Sequence, residues 1–317
     1  MKYFILIIFF ALSLVAIDLK PYKEIKVDGA VKDIVVKNNL LISGTDTGKM
    51  QIYDIEKDKI VKTVQLPKIK DFMGDIIDTR VASVDKIGDR YLLLSDSGKG
   101  GYFNLWIYEN DKLNKIITPE DKKSLVKARF IDKDHVLLGY LSNEIALYDL
   151  KIKKESFKTA VSESKFSDFA LNEDKTKVAV TCESGIIYIL DTKTGKIIKE
   201  LKSEHVDNVY KLDFKNGKIS GAGQDRRASL YDAKTGKGSH IQGNFLIYAT
   251  GLSPKANKVA YAMDEQNNIY IYNTLTKSLI AKLKGQKSTL NSIVFKDENT
   301  IFSASDDDTI MMWKLSK

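Results

Sequence analysis

The sequence predicts an all-β protein built as a single seven-bladed β-propeller, closed by pairing of an N-terminal strand with the last blade. Three observations lead to this prediction. Short strand-like segments dominate the chain, similar segments recur about every 41 residues, and the last copy lacks a final strand. Propeller blades are four-stranded sheets of about 40–45 residues each. The 317 residues therefore accommodate seven blades in one domain.

The repeat is defined by short apolar segments that end in an aromatic residue or leucine followed by a polar residue. Tyr53-Asp54 and Trp313-Lys314 are the first and last of these closing pairs. The seven pairs begin near positions 53, 108, 148, 190, 231, 272 and 313, so successive gaps are 55, 40, 42, 41, 41 and 41 residues. A nearly constant period over seven copies predicts seven blades.

Each repeat is expected to contain four antiparallel strands. In the fifth copy, a β-rich stretch at 209–214 is followed by a polar turn at 215–218 and a second strand that runs into small residues. A third strand ends at Tyr231, and the turn at 232–237 leads to the fourth. Segments rich in Val, Ile, Tyr and Phe, separated by Gly, Asn and Asp turns, are typical of antiparallel sheets. Tyr53, Tyr148 and Tyr231 are expected in the core.

The last repeat ends directly after its third strand, so it needs a fourth strand from elsewhere. The segment Tyr22–Val27 has the alternating pattern to supply it. An unpaired strand edge would promote aggregation, whereas a closed ring leaves no long edge exposed. The N-terminal segment is therefore predicted to close the ring.

Four strands about every 41 residues, with a Trp-Asp-like ending, resemble the WD40-repeat family across residues 17–317. The best match is 303–314. Tyr replaces Trp in most copies, and the Gly-His pair of the family is nearly absent: Gly285-Gln286 lacks the imidazole. The resemblance implies a hydrogen-bond network inside a blade, in which His205 and Asp225 would have a structural role.

The first sixteen residues have the pattern of a secretory signal peptide. A basic start precedes an unbroken apolar run, and charged residues resume at Asp18. The run is about 15 residues long, shorter than the roughly 20 that span a bilayer as a helix. We therefore expect a signal peptide at 1–16, cleaved after Ser13 or Ala16, a periplasmic protein, and no stable membrane insertion after cleavage. An uncleaved anchor is the alternative.

Composition excludes several classes of site. One cysteine, Cys182, rules out a disulfide framework, an iron–sulfur centre and a multi-cysteine zinc site. The net charge of +8 comes mostly from lysines interleaved with acidic residues, so a solvated surface rather than a nucleic-acid interface is expected. No catalytic motif is present. We expect a non-enzymatic protein without cofactor or metal, and Cys182 in the core.

Candidate interaction residues lie where the repeat is interrupted, because propeller loops at the two ends of the ring carry function. The 55-residue gap holds about 14 extra residues, between blades 1 and 2 and in the second-to-third-strand turn of blade 2. These two loop types emerge side by side on one face. The candidates on that face are Lys68, Lys70, Phe72, Met73, Lys99, Tyr102 and Phe103, with Arg226 and Arg227 in the corresponding turn of blade 5. Self-packed loops and a solvated arginine turn are the alternatives.

The expected function is that of a monomeric, non-enzymatic periplasmic scaffold that binds partner proteins. Overall, the chain looks similar to the accessory propeller of periplasmic nitrate reductase systems (the NapL type). That resemblance implies a factor supporting assembly or activity of the reductase. The alternatives are an outer-membrane assembly scaffold and a propeller enzyme that binds a quinone-type or haem cofactor.

Overall fold

The computed structural model describes residues 17–316. Within this part of the chain the fold is all-β, apart from one 3-10 turn at Pro119–Asp121. The predicted signal peptide at 1–16 lies outside the described residues.

Thirty-one strands follow one another along the described chain. In order they are β1 (Ile17–Leu19), β2 (Lys23–Lys26), β3 (Val31–Lys37), β4 (Leu40–Thr45), β5 (Lys49–Asp54), β6 (Lys59–Gln65), β7 (Ile69–Lys70), β8 (Ile76–Ile77), β9 (Val81–Ile87), β10 (Arg90–Asp96), β11 (Phe103–Glu109), β12 (Lys112–Ile117), β13 (Leu125–Phe130), β14 (His135–Tyr140), β15 (Glu144–Asp149), β16 (Lys154–Ala160), β17 (Phe166–Leu171), β18 (Lys177–Cys182), β19 (Ile187–Asp191), β20 (Ile197–Leu201), β21 (Val209–Lys215), β22 (Lys218–Gly223), β23 (Arg227–Asp232), β24 (Gly238–Gln242), β25 (Thr250–Leu252), β26 (Lys258–Ala262), β27 (Ile269–Asn273), β28 (Leu279–Leu283), β29 (Leu290–Phe295), β30 (Thr300–Ser305) and β31 (Thr309–Lys314).

Seven antiparallel blades are built from these strands, as the repeat predicted. Blades 1 to 6 are β3–β6, β9–β12, β13–β16, β17–β20, β21–β24 and β25–β28. Blade 7 combines β29–β31 with β2, and β7 and β8 form a separate small hairpin between blades 1 and 2.

The N-terminal segment closes the ring, as predicted. Strand β2 pairs antiparallel with β31 and places Ile25 opposite Ile310. Ile25 and Val27 are buried in the core between blades 7 and 1. Strand β1 was not predicted from the sequence. It pairs parallel with β28, with Ile17 opposite Ala281, as a fifth strand of blade 6. The N-terminal segment therefore pairs with the outer strands of two blades, blade 7 and blade 6.

Apolar side chains on both surfaces of each blade pack against the neighbouring blades, which accounts for the period-two alternation of the strands. Tyr53, Tyr148 and Tyr231 are buried, as predicted, and so is Cys182. Trp313 is among the largest fully buried side chains and packs in the core between blades 6 and 7. The regular spacing of the closing residues along the chain thus corresponds to a repeated core position.

Raising the pH above about 10 is expected to destabilise the propeller through buried tyrosines. Burial raises the pKa of Tyr148 and of Tyr231 to about 12, whereas the ordinary value is 10.0. Because the folded pKa is the higher one, this stabilisation is complete below pH 10 and is lost as the pH rises towards 12. The measurement is the melting temperature against pH, with tyrosinate absorbance in parallel. Complete ionisation of every tyrosine near pH 10 in a folded protein would contradict the prediction.

The first strand of each blade lines the central channel. These seven strands contact one another in a closed ring, in the order β3, β9, β13, β17, β21, β25 and β29. Because the strands within a blade are antiparallel, the connections between blades and the second-to-third-strand turns lie on one side of the ring, here called the upper face. The other turns lie on the lower face.

Candidate functional site

The insertion between blades 1 and 2 folds as a β-hairpin on the upper face. Ile69 pairs with Ile77, and Lys70 with Ile76. The carboxylate of Asp71 accepts hydrogen bonds from two backbone N–H groups of the tip, those of Met73 and Asp75, each at 2.9 Å. Such an Asx turn fixes the tip conformation with local contacts alone.

The hairpin exposes apolar side chains, as predicted for Phe72 and Met73. Phe72 is 93% exposed and Met73 74% exposed at the tip, and Ile76 is 68% exposed on β8. Ile77 is exposed as well. Contiguous exposed apolar side chains on a folded protein are typical of interaction surfaces.

The second extra segment, the turn between β10 and β11, packs against the hairpin. A Cβ atom on Gly98 would overlap the carbonyl oxygen of Lys70, so only glycine permits this approach, and its φ of +75° favours glycine as well. At the base of the hairpin, the Thr79 hydroxyl donates to the carbonyl of Pro67 at 2.6 Å. The sequence prediction that both extra segments lie side by side is therefore confirmed.

The predicted lysines surround the hairpin but are largely balanced by acidic residues. Lys68 lies 3.2 Å from Asp78, and Lys99 lies 3.7 Å from Glu120. Lys70 is exposed on β7. Surface ion pairs of this kind contribute little to stability. The apolar tip, more than its charge, distinguishes this surface.

Tyr102 and Phe103 differ from the expected exposure, since both are partly buried. Phe103 opens β11, and its N–H donates to the carbonyl of Lys123 at 3.0 Å. Side chains alternate along a strand, so Phe103 lies on the same side as Leu105 and Ile107 and packs with them in the core between blades 2 and 3. This alternation is visible in the sequence and would have identified Phe103 as a packing residue.

Arg226 and Arg227 lie on the upper face, but across the ring from the hairpin. They belong to blade 5, which two or more blades separate from blade 2 on either side. Arg226 is exposed, whereas Arg227 is partly buried and donates through Nη1 to the carbonyl of Glu204 at 3.1 Å. The structure does not bring this pair together with the hairpin, and it gives Arg227 a contact within the chain.

His205 and Asp225 form the hydrogen-bond network that the resemblance implied. His205 Nδ1 lies 3.1 Å from Asp225 Oδ1, and His205 Nε2 lies 2.7 Å from Ser229 Oγ. Burial opposes ionisation of Asp225, but its bond to His205 and those from the N–H groups of Val206 and Arg227 outweigh burial and lower its pKa. These atoms have the connectivity of a hydrolase triad. The His205 side chain, however, is fully buried, so it holds β23 to the connection before blade 5.

Gln286 takes the equivalent place in blade 7, which the sequence analysis did not recognise. Its Nε2 donates to Ser305 Oγ at 2.6 Å, and its Oε1 accepts from Ser303 Oγ at 2.7 Å. Ser303 in turn accepts from Trp313 Nε1 at 2.8 Å. An amide therefore links the same kind of hydroxyl network that an imidazole links in blade 5.

Replacing His205 tests its structural role. His205→Ala is expected to cost about 2–4 kcal/mol, because it leaves the buried Ser229 hydroxyl without its partner and removes the imidazole bond to the Asp225 carboxylate. His205→Gln should cost less, since Gln286 bonds two serines in the same setting. Chemical denaturation of the three proteins measures the difference. Equal stability of wild type and His205→Ala would contradict the assignment.

The described residues contain neither a cluster suited to a metal ion nor a helix suited to a membrane. Across 17–316, no group of three or more His, Cys, Asp and Glu side chains is arranged to hold a metal ion. Within the same range, no helix has the length and hydrophobicity to cross a bilayer.

Comparisons with known proteins agree with the fold at low similarity. No protein-family model matches the chain. A protein from Arabidopsis thaliana described as a WD repeat-containing protein 26 homolog is 23% identical over 195 residues, which is 59% of this chain. The match covers 33% of that protein, so the chain spans about a third of its length. This similarity and the seven antiparallel blades together support a WD40-type β-propeller, a fold suited to a protein-interaction scaffold.

Proposed function

We propose that the protein is a non-enzymatic scaffold that binds a partner protein through the hairpin on its upper face. The observation that carries this proposal is the Phe72–Met73 tip, 93% and 74% exposed on a turn held by Asp71. The fixed turn limits the backbone entropy lost on binding, and an exposed aromatic and an adaptable thioether side chain can fill a partner's pocket. The flanking Lys68, Lys70 and Lys99 then form a polar rim.

The proposal extends to where the scaffold acts. The apolar N-terminal segment supports export to the periplasm, and the overall resemblance supports a role as an accessory factor in assembly or activity of a periplasmic nitrate reductase. The scaffold binds the reductase components without holding their cofactor. It acts as a monomer that contacts protein partners.

Affinity capture tests the proposal, with the tagged protein expressed in its native host grown with and without nitrate. Reductase subunits are expected in the captured fraction. Phe72→Ser/Met73→Ser is expected to reduce their recovery about tenfold or more, as for removal of central apolar anchors. The melting temperature should stay unchanged, because both side chains are exposed.

A matched control separates the hairpin from general surface hydrophobicity. Leu275 is 88% exposed in the turn between β27 and β28, on the lower face. Leu275→Ser should leave capture unchanged. If the Phe72→Ser/Met73→Ser variant recovered as much reductase as the wild-type protein, the proposed surface would be refuted. Capture of outer-membrane assembly factors would reject the nitrate link, and a visible absorption band in the purified protein would reject the scaffold function.

A further inference from the structure

The first strands place carboxylates along the channel, and these hold neighbouring blades together. Each accepts a hydrogen bond from a backbone N–H of the first strand in the next blade, at 2.8–3.0 Å. The four carboxylates are those of Asp33, Asp85, Asp168 and Asp213, and their donors are Val84, Phe130, Leu212 and Leu252. These acidic side chains are therefore engaged in the fold itself.

Two basic side chains of the channel pair closely with these carboxylates, whereas Lys211 does not. Lys127 lies 2.6 Å from Asp168, and Arg129 lies 2.9 Å from Asp33. Among residues 17–316, no carboxylate oxygen comes within 4.0 Å of the Lys211 ammonium, which is partly buried near the Lys127–Asp168 pair. Lys211 therefore lies near Asp168 but has no direct ion-pair partner among the described residues.

Lys211 lines a cavity of about 490 Å³ at the upper mouth of the channel. Phe103 and Val126 contribute apolar wall, and Ser167 and Asn291 contribute polar groups. The Oδ1 atom of Asn291 is buried and has no hydrogen-bond partner among the described residues, although its Nδ2 donates to the carbonyl of Val31 at 2.7 Å. Small-molecule sites have this size. The charged lining is predominantly basic, with four basic and three acidic side chains: Lys32, Arg80, Lys127, Lys211, Asp33, Asp168 and Asp306.

We propose that the upper mouth of the channel binds a small organic anion. Its anionic group pairs with Lys211, and its apolar body lies against Phe103 and Val126. A ligand of this class supplies the direct ion-pair partner that Lys211 lacks among the described residues. This inference does not depend on the proposed scaffold function, because it uses none of the hairpin residues.

Calorimetric titration with 4-hydroxybenzoate tests the inference. This probe carries a carboxylate, an apolar ring and a hydroxyl donor. Binding is expected, and the neutral analogue 4-hydroxybenzyl alcohol should bind about tenfold more weakly or worse. Lys211→Met should weaken binding of the carboxylate to a similar extent. Lys215→Met is the matched control, because Lys215 lies at the other end of β21, with its Nζ atom 3.9 Å from Asp213 Oδ1. This variant should bind 4-hydroxybenzoate as the wild-type protein does.

The melting temperature of Lys211→Met shows whether this variant is folded. Comparing 4-hydroxybenzoate with 4-hydroxybenzyl alcohol on the wild-type protein needs no variant. This comparison therefore shows whether binding requires a negative charge on the ligand, even if Lys211→Met does not fold. Lack of carboxylate binding up to about 10 mM overturns the inference. Equal binding of the alcohol, or undiminished binding to a folded Lys211→Met protein, overturns it as well.

Discussion

Deleting residues 18–29 is expected to lower the melting temperature by about 10 °C or more and to cause self-association. The deletion removes Ile25 and Val27 from the core, and each such burial stabilises by about 1.5–3 kcal/mol. One kcal/mol corresponds to about 2–4 °C in domains of roughly 150–250 residues and to somewhat less in a larger one. The deletion also leaves β31 and β28 without their outer partners, β2 and β1. Exposed strand edges pair with other chains.

Thermal denaturation and size-exclusion chromatography measure both effects. Ile25→Asp should reproduce most of the loss, because it places a charge at a position that is 3% exposed. Glu24→Ala is the matched control on the same strand, since Glu24 is exposed and lies 3.4 Å from Lys287 in a surface ion pair. An unchanged melting temperature and a monodisperse deletion variant would show that the ring closes without the N-terminal segment.

Asp168→Asn is expected to cost about 3–5 kcal/mol, the range for removing one partner of a buried ion pair. Asp168 is 2% exposed, and Lys127 lies 2.6 Å away. The asparagine oxygen can still accept the bond from the Leu212 N–H, so the substitution mainly leaves the Lys127 ammonium without its counterion. Urea denaturation at neutral pH measures the loss.

The double variant Asp168→Asn/Lys127→Met separates the ion pair from packing. Replacing both charges of a buried pair is often neutral or stabilising. The double variant is therefore expected to recover most of the stability that Asp168→Asn loses. If it stayed as unstable as the single variant, the loss would come from the site's shape and not from the uncompensated charge.

The lowered pKa of Asp168 predicts that acid reduces the stability of the protein. Burial opposes ionisation of Asp168, but Lys127, Lys211 and the bonds that it accepts outweigh burial and lower its pKa. A carboxyl group whose folded pKa is depressed stabilises the folded state above its ordinary value of 3.8 and loses that contribution as the pH falls through the folded value. The wild-type protein should therefore lose stability more steeply in acid than the double variant.

The sequence by itself determined the number of blades, their strand order and the closing strand. Those features follow from local patterns: a period of about 41 residues, period-two alternation, and a last copy without a fourth strand. Exposure of Phe72 and Met73 was predictable for the same reason, because extra residues in a strict repeat have no place in the packed blades.

The tertiary structure alone decided the features that depend on register between distant blades. Arg129 meets Asp33 across 96 residues, and Lys127 meets Asp168 across 41. Nothing local in the chain specifies that Lys127 rather than Lys211 pairs directly with Asp168, because that depends on which first strands lie next to each other around the axis. The parallel pairing of β1 with β28 is equally non-local. Local patterns fix the strands and their faces, but only ring closure brings these side chains within reach of one another.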